Sequence, residues 1–552
     1  MEQKRLTIII PFLLEKEEVE QTLKSMCQHL QEEVNIILIN DASKDEYDYR
    51  TVAERYGALY IENEERIGVA ACRDIGVELC TTPYFLLLDA HMRFYNNRWL
   101  GRIVEELEKD SRTLICCQTK FLSRENGVLI DTPECNAYTS GATVRYNMKE
   151  ELIYTTWQTG TPFDQSQLTT IDISCVLGAA YACSKDYWQY LKGLHGLRYY
   201  GSDEPYISMK VWMEGGRCKL LKDVVIGHIY RSASIYHIPL TFRLFNQVMM
   251  AELLLPAYVK KRLWAEARDG FGESFPEALY VLYQHKDEII ALKNYYQSIF
   301  TRDYAFFEQL NNSYLNVQSP IQNFDNTIHQ IYQGIENCSV LDSGLLEGRM
   351  GIILFLFHYG KMFNCSESTN QAEHILEEIF ENIQLDTHYG LKTGLAGIGW
   401  GIQYLYQQGF IEGNVNEIVE DIDLRIMEID PARVLNLHRE YGLGGIVLYL
   451  LARLYSIEKE KLENPFDEKY LQNVYDRIHS LMISEDFMYD SMDVFLDFMA
   501  YFERTKELDA PSAFDVFSPV NMGDKTLDEL SIGLNGASGM GLKLLAENNY
   551  SI

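Results

Sequence analysis

From about Asp325 onward the chain repeats a short glycine phrase, and that repeat limits the folds open to it more than any other feature. Glu347-Gly348-Arg349-Met350-Gly351, Thr393-Gly394-Leu395-Ala396-Gly397, Tyr441-Gly442-Leu443-Gly444-Gly445 and Asn535-Gly536-Ala537-Ser538-Gly539 all read x-G-x-x-G ahead of an apolar helical pattern. Their first glycines stand 46, 48 and 94 residues apart, so the last interval spans two periods. Tyr489-Asp490-Ser491-Met492-Asp493, followed by VFLDFMAYF, fills that gap as a degenerate copy. Five copies at a period of about 47 residues, with a second helical pattern between each pair, predict α-hairpins stacked in a solenoid or a closed toroid.

The first half has a different grammar. Residues 6–11, 34–40, 58–61 and 84–88 read as strands, alternating with helical patterns over 16–30, 45–56 and 68–80. Alternation at such short intervals predicts a parallel sheet with helices on both faces. The last of these strands, in YFLLLDAHMR, runs directly into Asp89-Ala90-His91. Ligands of open α/β sheets gather beyond the carboxyl ends of the strands, where a carboxylate and an imidazole can share a divalent metal with a diphosphate. Alone, a D-x-H is more simply a turn cap beside a packed imidazole. A second acid, Asp41 in Asn40-Asp41-Ala42-Ser43, ends another strand on the same side, although it too reads alone as a turn and helix cap.

Composition narrows the partners. A net charge of −31, from 49 Lys and Arg against 80 Asp and Glu, repels a nucleic-acid backbone and an anionic membrane. No run approaches the roughly 20 apolar residues of a membrane span, and MEQKRLTIIIP enters a strand without a basic-then-apolar leader. The eleven cysteines have no paired spacing, which fits a reducing, cytoplasmic setting. At 552 residues the chain exceeds one core. The expected domains are 1–235, a helical extension and linker over 236–325 with its linker at 311–323, and the repeats over 326–552. The stretch 124–170 reads as a long polar irregular segment, the kind that forms lids or acceptor surfaces.

TIIIPFLLE, NIILINDASKD, ERIGVAACRDIGV and TPYFLLLDAH, in that order, resemble the nucleotide-sugar-binding half of family 2-like glycosyltransferases with the GT-A fold. The D-x-H form is similar to that of the polypeptide N-acetylgalactosaminyltransferases. LGAAYACSKDYW, YYGSDEPYISMKVWMEGG and VVIGHIYR continue the resemblance to about residue 231. It implies that Pro11 and Glu15 border the nucleotide, Asp41 reads the uracil and Arg73 lies beside the nucleotide. It also implies that Gly178 and Ala179 admit the sugar, that Asp203 and Glu204 form the catalytic acidic pair, and that His228 joins Asp89 and His91 on the metal. Leu14 and Asn40 depart from the family, which often has Asn and Asp there. One carboxylate and two imidazoles suit Mn²⁺ better than Mg²⁺, although Mg²⁺ remains an alternative.

GLLEGRMGIILFLF, GLKTGLAGIGWGIQYLY and LSIGLNGASGMGLKLL resemble the lanthionine synthetase C-like α/α toroid. That family's cyclases hold zinc through Cys, Cys and His and use a further His. Here Tyr441 stands at the catalytic His, Leu534 and Asn535 stand at the Cys-His pair, and no Cys follows Cys365. The expectation is a transferase moving a sugar from a UDP-sugar to a peptide, protein or glycan acceptor, docked by a repeat domain without zinc. The alternative is a catalytically silent protein that senses nucleotide-sugars or binds peptides.

Overall fold

The computed structural model describes residues 4–125, 127–131, 138–148, 151–164, 167–231, 237–315, 324–336, 342–383, 388–483, 490–516 and 533–547. The chain divides into two compact units. Unit 1 comprises residues 1–256 and 285–317, and unit 2 comprises 257–284 and 318–552.

Unit 1 opens with β1 (Leu6–Phe12), α1 (Glu17–Cys27), β2 (Asn35–Asn40), α2 (Tyr49–Arg55), β3 (Leu59–Glu62), α3 (Val69–Leu79), β4 (Tyr84–Leu88) and β5 (Met92–Phe94). It continues through α4 (Trp99–Lys109), β6 (Thr113–Glu125), β7 (Val128–Ile130), β8 (Tyr138–Met148), β9 (Glu151–Gly160), β10 (Thr170–Asp172), β11 (Ala180–Ser184), α5 (Lys185–Tyr190), α6 (Asp203–Glu214) and β12 (Arg217–Ile229). The apolar runs of β1, β2 and β4 are buried almost throughout, β1 at every residue, whereas the edge strand β3 is half-exposed. The sheet runs β10-β12-β6-β11-β4-β1-β2-β3. It is mixed rather than wholly parallel, because β11 lies antiparallel between β4 and β6. The run β3-β2-β1-β4 is parallel, and strand order reverses at β1, so a crevice opens at the carboxyl ends of β1 and β4.

The stretch expected to be irregular is mostly sheet. β8 and β9 pair as a long antiparallel hairpin, and β8 also joins β6. β9 is rich in Thr and Tyr, which favour strands, and is half-buried to exposed along most of its length, so its polarity disguised it.

Residues 236–325, expected as one extension, are shared between the units. α7 (Leu240–Leu254) ends just before Pro256, which has no amide hydrogen to continue the helix. α8 (Ala257–Gly270) and α9 (Ser274–Gln284) belong to unit 2, whereas α10 (Lys286–Ile299) and α11 (Tyr304–Tyr314) return to unit 1. α11 occupies the start of the expected linker, and 316–323 lie outside the described residues.

Unit 2 is helical: α12 (Phe324–Glu336), α13 (Arg349–Phe363), α14 (Ser366–Asn382), α15 (Leu395–Gln407), α16 (Val415–Ile418), α17 (Glu420–Met427), α18 (Leu443–Glu460), α19 (Glu468–Met482), α20 (Met492–Phe502) and α21 (Ala537–Glu547). α13, α15, α18, α20 and α21 follow the five glycine phrases; Tyr489 of the degenerate copy lies outside the described residues. The helices neighbour one another in the order α20, α18, α15, α13, α21. A Cβ at Gly399 would lie 2.5 Å from the Tyr449 ring, so this glycine lets α15 and α18 approach. The loops before them are stitched by backbone bonds, from Asn535 N to Leu346 O (2.9 Å), Leu346 N to Lys392 O (3.2 Å) and Lys392 N to Glu440 O (2.9 Å).

α8 meets both ends of that series. Arg268 donates to Asp493 at the start of α20 (3.0 Å), and Glu266 lies 3.8 Å from Lys543 of α21. Among the described residues no helix is long and apolar enough to cross a membrane.

Candidate active site

The site is assembled from strand ends. Asp89 follows β4, and its amide bonds to Ala179 O (3.0 Å), which ties the acid to the start of β11. Thr22 of α1 donates to Ala90 O (2.7 Å) and accepts from Met92 N (2.9 Å), so one buried hydroxyl fixes the backbone on both sides of His91. β5 then pairs antiparallel with β12, placing His228 opposite Met92, and Ile229 N bonds to His91 O (3.2 Å). That register brings together two imidazoles 137 residues apart in sequence.

Asp89, His91 and His228 each offer one ligand atom, all within 4.8 Å of one another, and they form the only such group among the described residues. His91 Nε2 lies 3.0 Å from His228 Nε2, and Asp89 Oδ2 lies 3.5 Å from the latter. Two imidazole nitrogens and a carboxylate oxygen converging on one point are a donor set for a divalent transition metal. Burial alone would raise the Asp89 carboxyl; the hydrogen bond from His228 and the Arg73 charge outweigh it and hold the acid below its usual range. Burial lowers His228, which favours the neutral ligating form.

Arg73 of α3 joins this cluster to the acidic pair. It donates to Asp203 Oδ2 (2.6 Å), Asp89 Oδ1 (3.1 Å) and Gly178 O (3.1 Å), and its guanidinium lies 5.2 Å from the Tyr181 ring centroid. Asp203 and Glu204 open α6, whose N-cap Ser202 adopts a left-handed φ of 70°. A Cβ at Gly178 would stand 2.2 Å from Glu204 Oε1, so the missing side chain is what admits the carboxylate. Burial, reinforced by the neighbouring Asp203 charge, pushes Glu204 up to about 7.

Other expected residues have different surroundings. Asp41 accepts from Ile67 N (2.9 Å), Gly68 N (2.9 Å) and Asn63 Nδ2 (3.0 Å), so its carboxylate holds the loop that starts α3. Pro11 is buried in β1 opposite Ile39 of β2. Ala179 is buried and serves through its carbonyl. Glu15 is buried beside His91 and Arg231, with Oε2 3.3 Å from His91 Nδ1 and Oε1 accepting from Arg231 Nη1 (2.9 Å). Burial would raise the Glu15 carboxyl, and His91 and Arg231 together bring it below its usual value.

Sequence reasoning missed an aromatic shelf. Tyr230 meets His228 edge-on (4.3 Å), stacks on Phe121 (4.6 Å) and lies 5.1 Å from Trp157 of β9. Trp157 is 49% exposed and Phe121 37%. Tyr230 was findable as the residue two along from His228, whereas Trp157 and Phe121 carry no local signal.

Residues 7–200 match the family model described as glycosyl transferase family 2, and residues 339–495 match that described as lanthionine synthetase C-like protein. The chain joins a family 2 glycosyltransferase domain to a lanthionine synthetase C-like domain. Polypeptide N-acetylgalactosaminyltransferase 10 of Homo sapiens is 25% identical over 264 residues, covering 46% of this chain and 42% of that protein. Polypeptide N-acetylgalactosaminyltransferase 3 of Taeniopygia guttata is 24% identical over 235 residues, covering 40% and 37%. The chain thus spans less than half the length of these curated relatives. The crystal structure of GalNAc-T7 with UDP, GalNAc and Mn²⁺ aligns over 58% of each chain at 19% identity, with a TM-score of 0.46.

Proposed function

We propose that this glycosyltransferase domain moves a sugar from a UDP-sugar to an acceptor hydroxyl with the help of Mn²⁺. The observation that carries this is the meeting of the Asp89, His91 and His228 donor set with the Arg73, Asp203 and Glu204 cluster at the carboxyl edge of the sheet. Bound there, the metal supplies positive charge for the departing diphosphate. Glu204 is poised as the base for an acceptor hydroxyl in an inverting route, because burial brings its carboxyl toward neutrality. In a retaining route Asp203, oriented by Arg73, holds the donor sugar instead, and the anomeric proton of the product distinguishes the two by NMR. Gly178 keeps the space before Glu204 clear. The exposed Trp157 and Phe121 offer flat apolar contact to an acceptor beside the metal ligands.

For unit 2 the proposal is a closed toroid that holds a peptide or protein acceptor and performs no chemistry. Closure is supported by α8, which reaches both α20 and α21 and so fills the place of a sixth inner helix. Silence is supported by the positions of the resembling zinc site: Leu534 is fully buried and its hydrocarbon side chain offers no ligand atom. A docked acceptor raises its effective concentration at the transferase.

The test is calorimetry of UDP binding with and without Mn²⁺, alongside a screen of UDP-sugars for Mn²⁺-dependent hydrolysis. Asp89→Ala is expected to abolish the Mn²⁺-dependent part of UDP affinity. An unchanged Mn²⁺ dependence in that variant overturns the assignment.

A further inference from the structure

Glu15, expected to border the nucleotide, has His91 and Arg231 as its side-chain neighbours. Its side chain is buried at the start of α1, between His91 and Arg231. His91 Nδ1 is itself buried and has no hydrogen-bond partner among the described residues; Glu15 Oε2, at 3.3 Å, is an acceptor within a small rotation of it. The other face of the carboxylate is fixed by both terminal nitrogens of Arg231, two residues beyond the end of β12. A single acid thus braces one imidazole and the strand end that carries the other.

We propose that Glu15 is a positioning residue for the metal centre rather than a nucleotide contact. The proposal rests on the metal site proposed above. His91 and His228 face each other through Nε2 at 3.0 Å, so two lone pairs can turn to one cation only when each ring carries its proton on Nδ1. An anionic acceptor at His91 Nδ1 selects that tautomer and holds the ring plane. Carboxylates behind ligating histidines generally act in this way, and losing one typically costs about 10–100-fold in metal affinity.

Mn²⁺ binding to the full chain, followed by electron paramagnetic resonance of the free ion, tests this in Glu15→Gln, Glu15→Asp and Asp89→Ala. Gln keeps the shape and removes the charge, and about tenfold weaker Mn²⁺ binding is expected. Asp restores the charge and is expected to recover affinity. UDP affinity in EDTA should be the same for wild type and Glu15→Gln. Wild-type Mn²⁺ affinity in folded Glu15→Gln overturns the proposal, as does a fall in metal-free UDP affinity with Mn²⁺ binding intact. Undiminished Mn²⁺ binding in Asp89→Ala is a separate failure, that of the metal site itself.

Discussion

Replacing Arg73 by Met keeps a side chain of similar length and removes the guanidinium that bridges Asp203 and Asp89. Asp203 loses a 2.6 Å charge-assisted bond, Asp89 loses a 3.1 Å one, and Gly178 O loses a donor. Two carboxylates and the adjacent Glu204 are then left facing one another in a largely buried space. Breaking a buried pair by removing one partner costs about 3–5 kcal/mol, because the remaining charge is neither solvated nor paired. At pH 8 the Arg73→Met variant should therefore be less stable by about that amount. The loss depends on pH in a fixed direction. Arg73 is one of the charges that hold the Asp89 and Glu204 carboxyls down, so without the guanidinium both move upward and the folded state binds protons more readily. The variant is then most nearly native below the unfolded pKa, and its stability falls as pH rises through the raised folded values. Urea unfolding between pH 5 and pH 8, with hydrogen exchange of the α3 and α6 peptides as the local readout, measures this. A deficit of equal size at both pH values would show that lost packing, not unpaired charge, is responsible.

The base role proposed for Glu204 predicts a pH-dependent activity. As a base it must be ionised, so kcat/KM of the wild type should rise with pH along an acidic limb near 7, well above an ordinary glutamate, and Glu204→Gln should lose that limb together with most turnover. In unit 2, Asp493 accepts from both Arg268 and Arg439, and Asp493→Ala leaves two buried guanidinium groups without their shared anion. A loss of about 3–5 kcal/mol is expected in the calorimetric transition of unit 2, with Mn²⁺ binding unchanged.

The legibility of this chain follows the range of the forces involved. Strands β1, β2 and β4 were readable because a strand buried on both faces must be a continuous apolar run, and LTIIIP, NIILIN and YFLLL are such runs. The metal group was readable for the same reason: Asp89 and His91 end one of these runs, and resemblance supplied His228. β8 and β9 were not, since a half-exposed hairpin carries many polar residues, and its partner strand β6 is fixed only by tertiary pairing. The partnership of Glu15 with Arg231 was not readable, because the two are 216 residues apart. The assignment of α8 and α9 to unit 2 depends on contacts such as that of Arg268 with Asp493, which no local pattern announces.

The sheet explains why these distant residues meet. Carboxyl ends of parallel strands lie along one edge, so residues following β1, β2 and β4 share it whatever their separation in sequence. β12 is parallel to β6 and therefore delivers His228 to that edge, where β5 turns back to meet it. Antiparallel β11 ends at the opposite edge and contributes instead through its beginning, at Gly178 and Ala179. Helix α6 adds its N-terminus, which by its dipole favours anions. Asp203 gains Arg73 as well, but Glu204 is nevertheless pushed upward, so burial and the neighbouring charge outweigh the helix end. The two acids of one dipeptide thus have different surroundings: Asp203 accepts a hydrogen bond from the Arg73 guanidinium, whereas burial and the neighbouring charge bring the Glu204 carboxyl toward neutrality.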